Sequence, residues 1–270
     1  MTLVVYLFLL ALGLVVGSFL NVVVYRYNTG HTILGRSRCF SCRKKLAWYE
    51  LIPVFSFVAQ KGRCRACGSH ISWQYPAVEI LTGIVFVLIG GHYLIPEIYS
   101  FFVFWQFAFW ACIFSLLIVI AVYDLRHKII PEKIVYPFIV LALLSHVLLP
   151  LKLGANEVFS LLNAFLAGGV LFLFFWGLWR YSDGRWMGFG DAKLSLGIGF
   201  LLGFPEGLLA VASAFVIGAV VGLILIGFKK ISWLWPTGRC ITIKSEIPFA
   251  PFLVLGTLLG ALEIFNAWIL

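Results

Sequence analysis

The sequence predicts an all-α polytopic membrane protein of about eight transmembrane helices, with a small zinc-ribbon-like cytoplasmic domain after the first span. Two observations carry the membrane prediction. Of the 270 residues 62% are hydrophobic and 11% charged, and the mean hydropathy is +1.04. The apolar residues also fall into runs of about 20, the length a helix needs to cross a ~30 Å hydrocarbon core. The cysteine-rich domain rests on a third, a paired spacing of four thiols taken up below.

The runs lie at 3–24, 77–95, 101–123, 134–150, 159–179, 208–228 and 248–268. An eighth, at about 192–204, is short and Gly-rich, and reads as a tilted span or a re-entrant segment buried by its neighbours. Charge sets the orientation. With eight spans and both termini outside, every Lys and Arg except Lys152 falls in the inner segments 26–76, 124–133, 180–193 and 229–247, as the positive-inside bias requires. Seven spans would export Lys229 and Lys230. The formal net charge of +9 is therefore topological, which argues against nucleic acid as a partner and places a basic surface against membrane lipids. No Lys or Arg precedes Arg26, so the first run reads as a retained span rather than a signal peptide. The expected domains are a first helix at 1–25, a cytoplasmic four-cysteine domain at 26–76 and a transmembrane domain at 77–270.

Cys39 and Cys42, then Cys64 and Cys67, form two C-x2-C pairs separated by 21 residues, the spacing of four-thiolate zinc ribbons. Disulfides are disfavoured for a loop in a reducing cytoplasm. Gly68 follows the second pair and permits its tight turn. Four thiolates leave a metal no open position, so the expected Zn2+ is structural. His31 and His70 lie near enough in sequence to be ligands but read first as surface histidines, and Cys112 and Cys240 read as bystanders.

Two acidic residues stand at the edges of apolar runs, where an ionisable group carries a functional expectation. Asp191 lies in Gly188-Phe189-Gly190-Asp191-Ala192-Lys193, an expected active-site loop whose glycines allow a tight turn and close approach of a substrate chain. Asp124 closes the third run. The charge-derived topology puts both aspartates on the inner face. Two carboxylates held close in a poorly solvated site cannot both ionise easily, so one serves as acid and one as base, the arrangement for aspartyl peptide hydrolysis. Asp183, before Gly184, reads as a turn residue. Lys193, two positions from Asp191, should not pair with it on a helix and is expected to face substrate or headgroups.

These residues resemble the bacterial prepilin peptidases, GxGD-type aspartyl proteases of type IV pilus and type II secretion systems. The resemblance runs through Gly17-Ser18-Phe19-Leu20-Asn21-Val22 with Arg26, the two cysteine pairs, Gly62 to Glu79, Tyr123-Asp124 with Ile130-Pro131, Gly188 to Lys193, and Pro248-Phe249-Ala250-Pro251-Phe252-Leu253. Asn28, Phe40 and Ala250 depart from it without touching an expected ligand or carboxylate. The four-cysteine loop argues against presenilin-like proteases, and archaeal preflagellin peptidases generally lack it. The resemblance implies an inner-membrane enzyme that cleaves a prepilin or pseudopilin leader after Gly, with Asp124 and Asp191 catalytic. It also implies S-adenosylmethionine-dependent methylation of the new N-terminus, for which no nucleotide-binding motif is legible. A non-catalytic zinc-ribbon adaptor of the assembly machinery would need the cysteines and tolerate Asp-to-Asn changes. A transporter fits less well, because the aspartates lie at span ends.

Overall fold

A computed structural model of the chain describes residues 2–29, 32, 35–94, 101–148, 157–227 and 247–262. The 229–246 segment with Cys240, together with His31 and Lys152, lies outside them. The regular structure among the described residues is helical, without strands beyond two isolated bridges. In chain order they form α1 Thr2–Arg26, a 3-10 turn Trp48–Leu51, α2 Phe55–Ala59, α3 Gln74–Ile89 and α4 Phe101–His127. There follow α5 Glu132–Leu148, α6 Glu157–Ser182, α7 Phe189–Leu202, α8 Glu206–Gly227 and α9 Ala250–Ala261. A helix thus stands at each of the eight apolar runs. Among the described residues five are long and apolar enough to cross a membrane: Thr2–Arg26, Gln74–Leu94, Phe102–His127, Phe159–Ser182 and Glu206–Leu225.

The chain divides into two compact units, Met1–Val122 and Tyr123–Leu270, with the boundary inside α4. In the first unit α1 packs on α3. The fully buried Asn21 joins the last turns of α1 to the start of α3, its amide donating to the carbonyl of Tyr75 at 3.1 Å. Between these helices the cysteine loop folds into two knuckles, each closed by one bridge, Arg38 with Lys45 and Arg63 with His70. A stack of Phe40, Tyr25 and Tyr75, with centroids 5.4 and 5.0 Å apart, ties the first knuckle to the helix ends.

In the second unit α7 is the centre. At 14 residues it is about 21 Å long, and it packs against α5, α6, α8 and α9. Ala192, Leu194 and Ile198 are fully buried, which is why this segment is apolar on every side and shows no amphipathic stripe. Small residues permit that crowding: a Cβ on Gly199 would stand 2.5 Å from the backbone of Gly168 in α6. The short run is therefore a helix enclosed by its neighbours.

Candidate active site and metal centre

Asp124 sits in the last turn of α4, because the helix runs on through Leu125, Arg126 and His127 where the apolar run stops. It is 5% exposed. A helix C-terminus presents carbonyls and by itself disfavours a carboxylate. The compensation comes from far along the chain: the backbone N–H of Ala250 donates to Asp124 Oδ2 at 3.2 Å. Ala250 opens α9, so the positive end of that helix faces the carboxylate. Pro251 stands in the first turn, where its missing N–H costs nothing, but nothing in the sequence says what that helix start points at.

Asp191 is the third residue of α7 and 8% exposed. Its carboxylate accepts the backbone N–H of Gly188, the residue that caps α7, satisfying one of the helix's otherwise unpaired donors. Asp124 lies within electrostatic reach of Asp191. One unit therefore brings two buried carboxylates together, one from the end of a helix and one from the start of another.

The loop expected at 188–193 shrinks to Gly188, since Gly190 and Lys193 are helical. Gly188 has φ −75° and ψ 148°, extended backbone that any residue adopts, so no tight turn demands it. Gly190 has a different reason. A Cβ there would lie 2.7 Å from Cβ of Ile130, and its absence lets the Ile130-Pro131 segment pack directly on the first turn of α7. Lys193 points away from Asp191. It forms an ion pair with Glu132 and a 3.2 Å hydrogen bond to the Tyr136 hydroxyl, both on α5, between the rings of Tyr136 and Phe189. Glu132 and Tyr136 escaped the sequence analysis because a charge pair 61 residues apart leaves no local signal.

The four cysteines of the first unit converge, their sulfurs all within 4.8 Å of one another. None is in a disulfide. The two knuckles repeat one another: Arg43 N–H bonds the Cys39 carbonyl at 2.9 Å, and Gly68 N–H bonds that of Cys64 at 2.9 Å. Both residues are left-handed, at φ 57° and 70°, so Gly68 meets a need that Arg43 meets under strain. Cys39 and Cys67 are 3.8 Å apart, the edge of a tetrahedron with metal–sulfur bonds of ~2.3 Å. The Cys42 backbone N–H and the Ser69 hydroxyl hold the Cys39 thiol down at about 6, and Ser69 likewise lowers Cys67. For Cys42 the Lys44 N–H favours the thiolate, yet desolvation and the adjoining sulfurs push it up to about 11. Such a cluster cannot become four thiolates without a cation at its centre, and the donor set fits zinc. His70 is not among the clustered donors.

The N-terminal part matches the family model described as the bacterial peptidase A24 N-terminal domain, over residues 11–93. Residues 111–223 match the type IV leader peptidase family. Over 252 residues the chain is 32% identical to a prepilin leader peptidase/N-methyltransferase of Bacillus subtilis, covering 93% of this chain and 91% of that protein. The chain belongs to the type IV leader peptidase family. A second relative of the same description, from Myxococcus xanthus, is 35% identical over 229 residues, which cover 81% of this chain but only 62% of the relative. A third, from Klebsiella pneumoniae, is 30% identical over 73% of this chain and 84% of its own length. No solved structure matches the chain.

In this leader peptidase family member the stretch matched at 111–223 holds both aspartates, while the N–H that reaches Asp124 lies outside it, at Ala250. The close contact at Gly190 gives a first prediction. Gly190→Ala is expected to force Ile130 aside at about 1–3 kcal/mol and to lower activity, whereas Gly188→Ala places its Cβ 3.5 Å from Asp191 Oδ2, ordinary contact, and is tolerated better. Thermal unfolding and peptide cleavage by the two purified variants check the order.

Proposed function

We propose that the chain is a membrane-embedded aspartyl endopeptidase that removes the leader of type IV prepilins or pseudopilins after Gly, at the cytoplasmic face, and then methylates the new N-terminus. The observation that carries this reading is the placement of buried Asp124 and Asp191 at two helix ends of one unit, within electrostatic reach of each other. The relatives' description as prepilin leader peptidase/N-methyltransferase supports the substrate and both reactions.

In the proposed reaction one carboxylate is ionised and the other protonated, the arrangement that two like charges held close favour. The ionised partner takes a proton from water as its oxygen adds to the scissile carbonyl carbon, and the protonated partner gives its proton to the leaving nitrogen as the C–N bond breaks. Ala250 N–H holds Asp124 in place through this exchange. Lys193 with Glu132 and Tyr136 fixes α7 against α5, and so fixes Asp191. Cys39, Cys42, Cys64 and Cys67 hold a structural zinc ion that orders the 26–76 domain. Eight spans with both termini outside, in the bacterial inner membrane, bring both aspartates to the cytoplasmic edge, where a leader emerges from a membrane-embedded substrate helix. The chain's partners are prepilins and membrane lipids, without nucleic acid.

The test is incubation of the purified protein with a leader-bearing prepilin, with and without S-adenosylmethionine, read by intact mass. Loss of the leader in both, and gain of one methyl group only with the donor, is the expected result. An unchanged prepilin overturns the reading in favour of a non-catalytic adaptor. A second prediction separates the activities, since methylation needs a free amine and no aspartyl acid or base. Asp191→Asn is expected to methylate a pre-cleaved pilin at the parental rate. If it transfers no methyl group while the donor still binds, the two reactions share chemistry.

A further inference from the structure

Glu79 is a buried carboxylate that the peptidase chemistry does not use. It lies 6% exposed in α3, five residues beyond Gln74, about 7.5 Å along the helix and inside the Gln74–Leu94 span. Its Oε2 accepts the backbone N–H of Val54 at 2.7 Å, and the Ser18 hydroxyl of α1 donates to the same carboxylate. Val54 stands at φ 60° and ψ −51°, with Phe55 N–H on the Pro53 carbonyl at 2.6 Å. That is a γ-turn of the rare, strained hand, centred on a β-branched residue for which positive φ is an outlier. Such strain persists only where the surroundings impose it. Here the imposing contact draws the start of α2 down beside the membrane-level turns of α1 and α3.

The segment held there exposes apolar side chains on both sides of the γ-turn. Trp48 and Leu51 in the 3-10 turn, Ile52 after it, and Phe55 and Val58 in α2 are all exposed, Trp48 at 78%, Phe55 at 71% and Val58 at 67%. Exposed Lys61, Arg63 and Arg65 follow directly. The sole acidic residue of 26–76 is Glu50, which is buried and takes the Ala47 N–H at 2.9 Å. Apolar residues beside a Trp, flanked by cations and fixed at the depth of a span end, match the interfacial zone of an anionic bilayer.

We propose that residues 48–58 form a membrane-interface wedge, anchored by Glu79, whose apolar face lies among the acyl-chain ends nearest the headgroups and whose basic flank meets anionic phospholipid. The occupant is lipid, since the segment hangs beside two spans.

The full-length protein is placed in nanodiscs of phosphatidylethanolamine with phosphatidylglycerol, or of phosphatidylcholine alone. Each carries a lipid with a diazirine at the headgroup end of its acyl chain, and adducts are mapped by peptide mass spectrometry. Adducts on 48–58 are expected, several-fold more with phosphatidylglycerol. They should fall several-fold in Phe55→Ser/Val58→Ser and in Glu79→Leu, while labelling of α1 is unchanged. Absent adducts on 48–58 in the parent protein, with α1 labelled, overturn the wedge whatever the variants do. So does a photoreactive residue at position 55 that crosslinks to residues 123–270 or to a second copy, which would make the face a protein interface. Labelling indifferent to phosphatidylglycerol overturns the role of the basic flank.

Discussion

Asp124→Asn and Asp191→Asn are each expected to lower leader cleavage by about 10²–10⁴-fold, the contribution of a positioned acid or base. Asparagine keeps the shape of the side chain and an oxygen for the N–H of Ala250 or Gly188, but it can neither take nor give the proton. Each variant should therefore insert, retain its metal and unfold no more easily than the parent, because it removes one of two buried carboxylates that repel each other. Cleavage assays on variants matched for expression and thermal stability check the result. Retained cleavage in either one would remove the aspartyl mechanism.

Removal of the metal should have the other large effect. Cys64→Ser, at the buried ligand position, is expected to abolish zinc binding and unfold the knuckles. The apolar side chains of this loop are largely exposed, so it has little core of its own, while a structural zinc contributes on the order of 10–16 kcal/mol to folding in small zinc domains. Cleavage should fall as a consequence of the loosened loop. Metal analysis and hydrogen exchange over 36–73 read the effect directly. Cys112→Ser, outside the cluster, should change neither, and full zinc occupancy in Cys64→Ser would show that the cluster is not its site.

What the sequence made legible was whatever recurs locally. Apolar runs translate into helices because length and hydropathy are properties of contiguous residues, and a C-x2-C pair is one knuckle. The enclosed position of α7 was half legible: its shortness and glycines suggested burial by neighbours, but not which helices enclose it. Gly190 was noticed for the wrong physical reason, as a turn residue, since the demand comes from Ile130 sixty residues earlier. The γ-turn at Val54 and its tie to Glu79 were invisible, because neither residue type announces strain. The role of Ala250 was invisible for a deeper reason: the group that matters is a backbone N–H, and every residue but proline has one.

The hydrogen bond from Ala250 to Asp124 joins residues 126 positions apart, and this has a consequence for biosynthesis. At about 5–20 residues per second, Ala250 leaves the ribosome roughly 6–25 s after Asp124. For roughly the last 3–12 s of that interval, once Asp191 has also been made, the nascent chain holds both aspartates and all four cysteines while α9 has not arrived to complete the site. The chain thus carries a delay in its own maturation, and a stalled or truncated product ending before α9 would be a protease in which one acid lacks its donor.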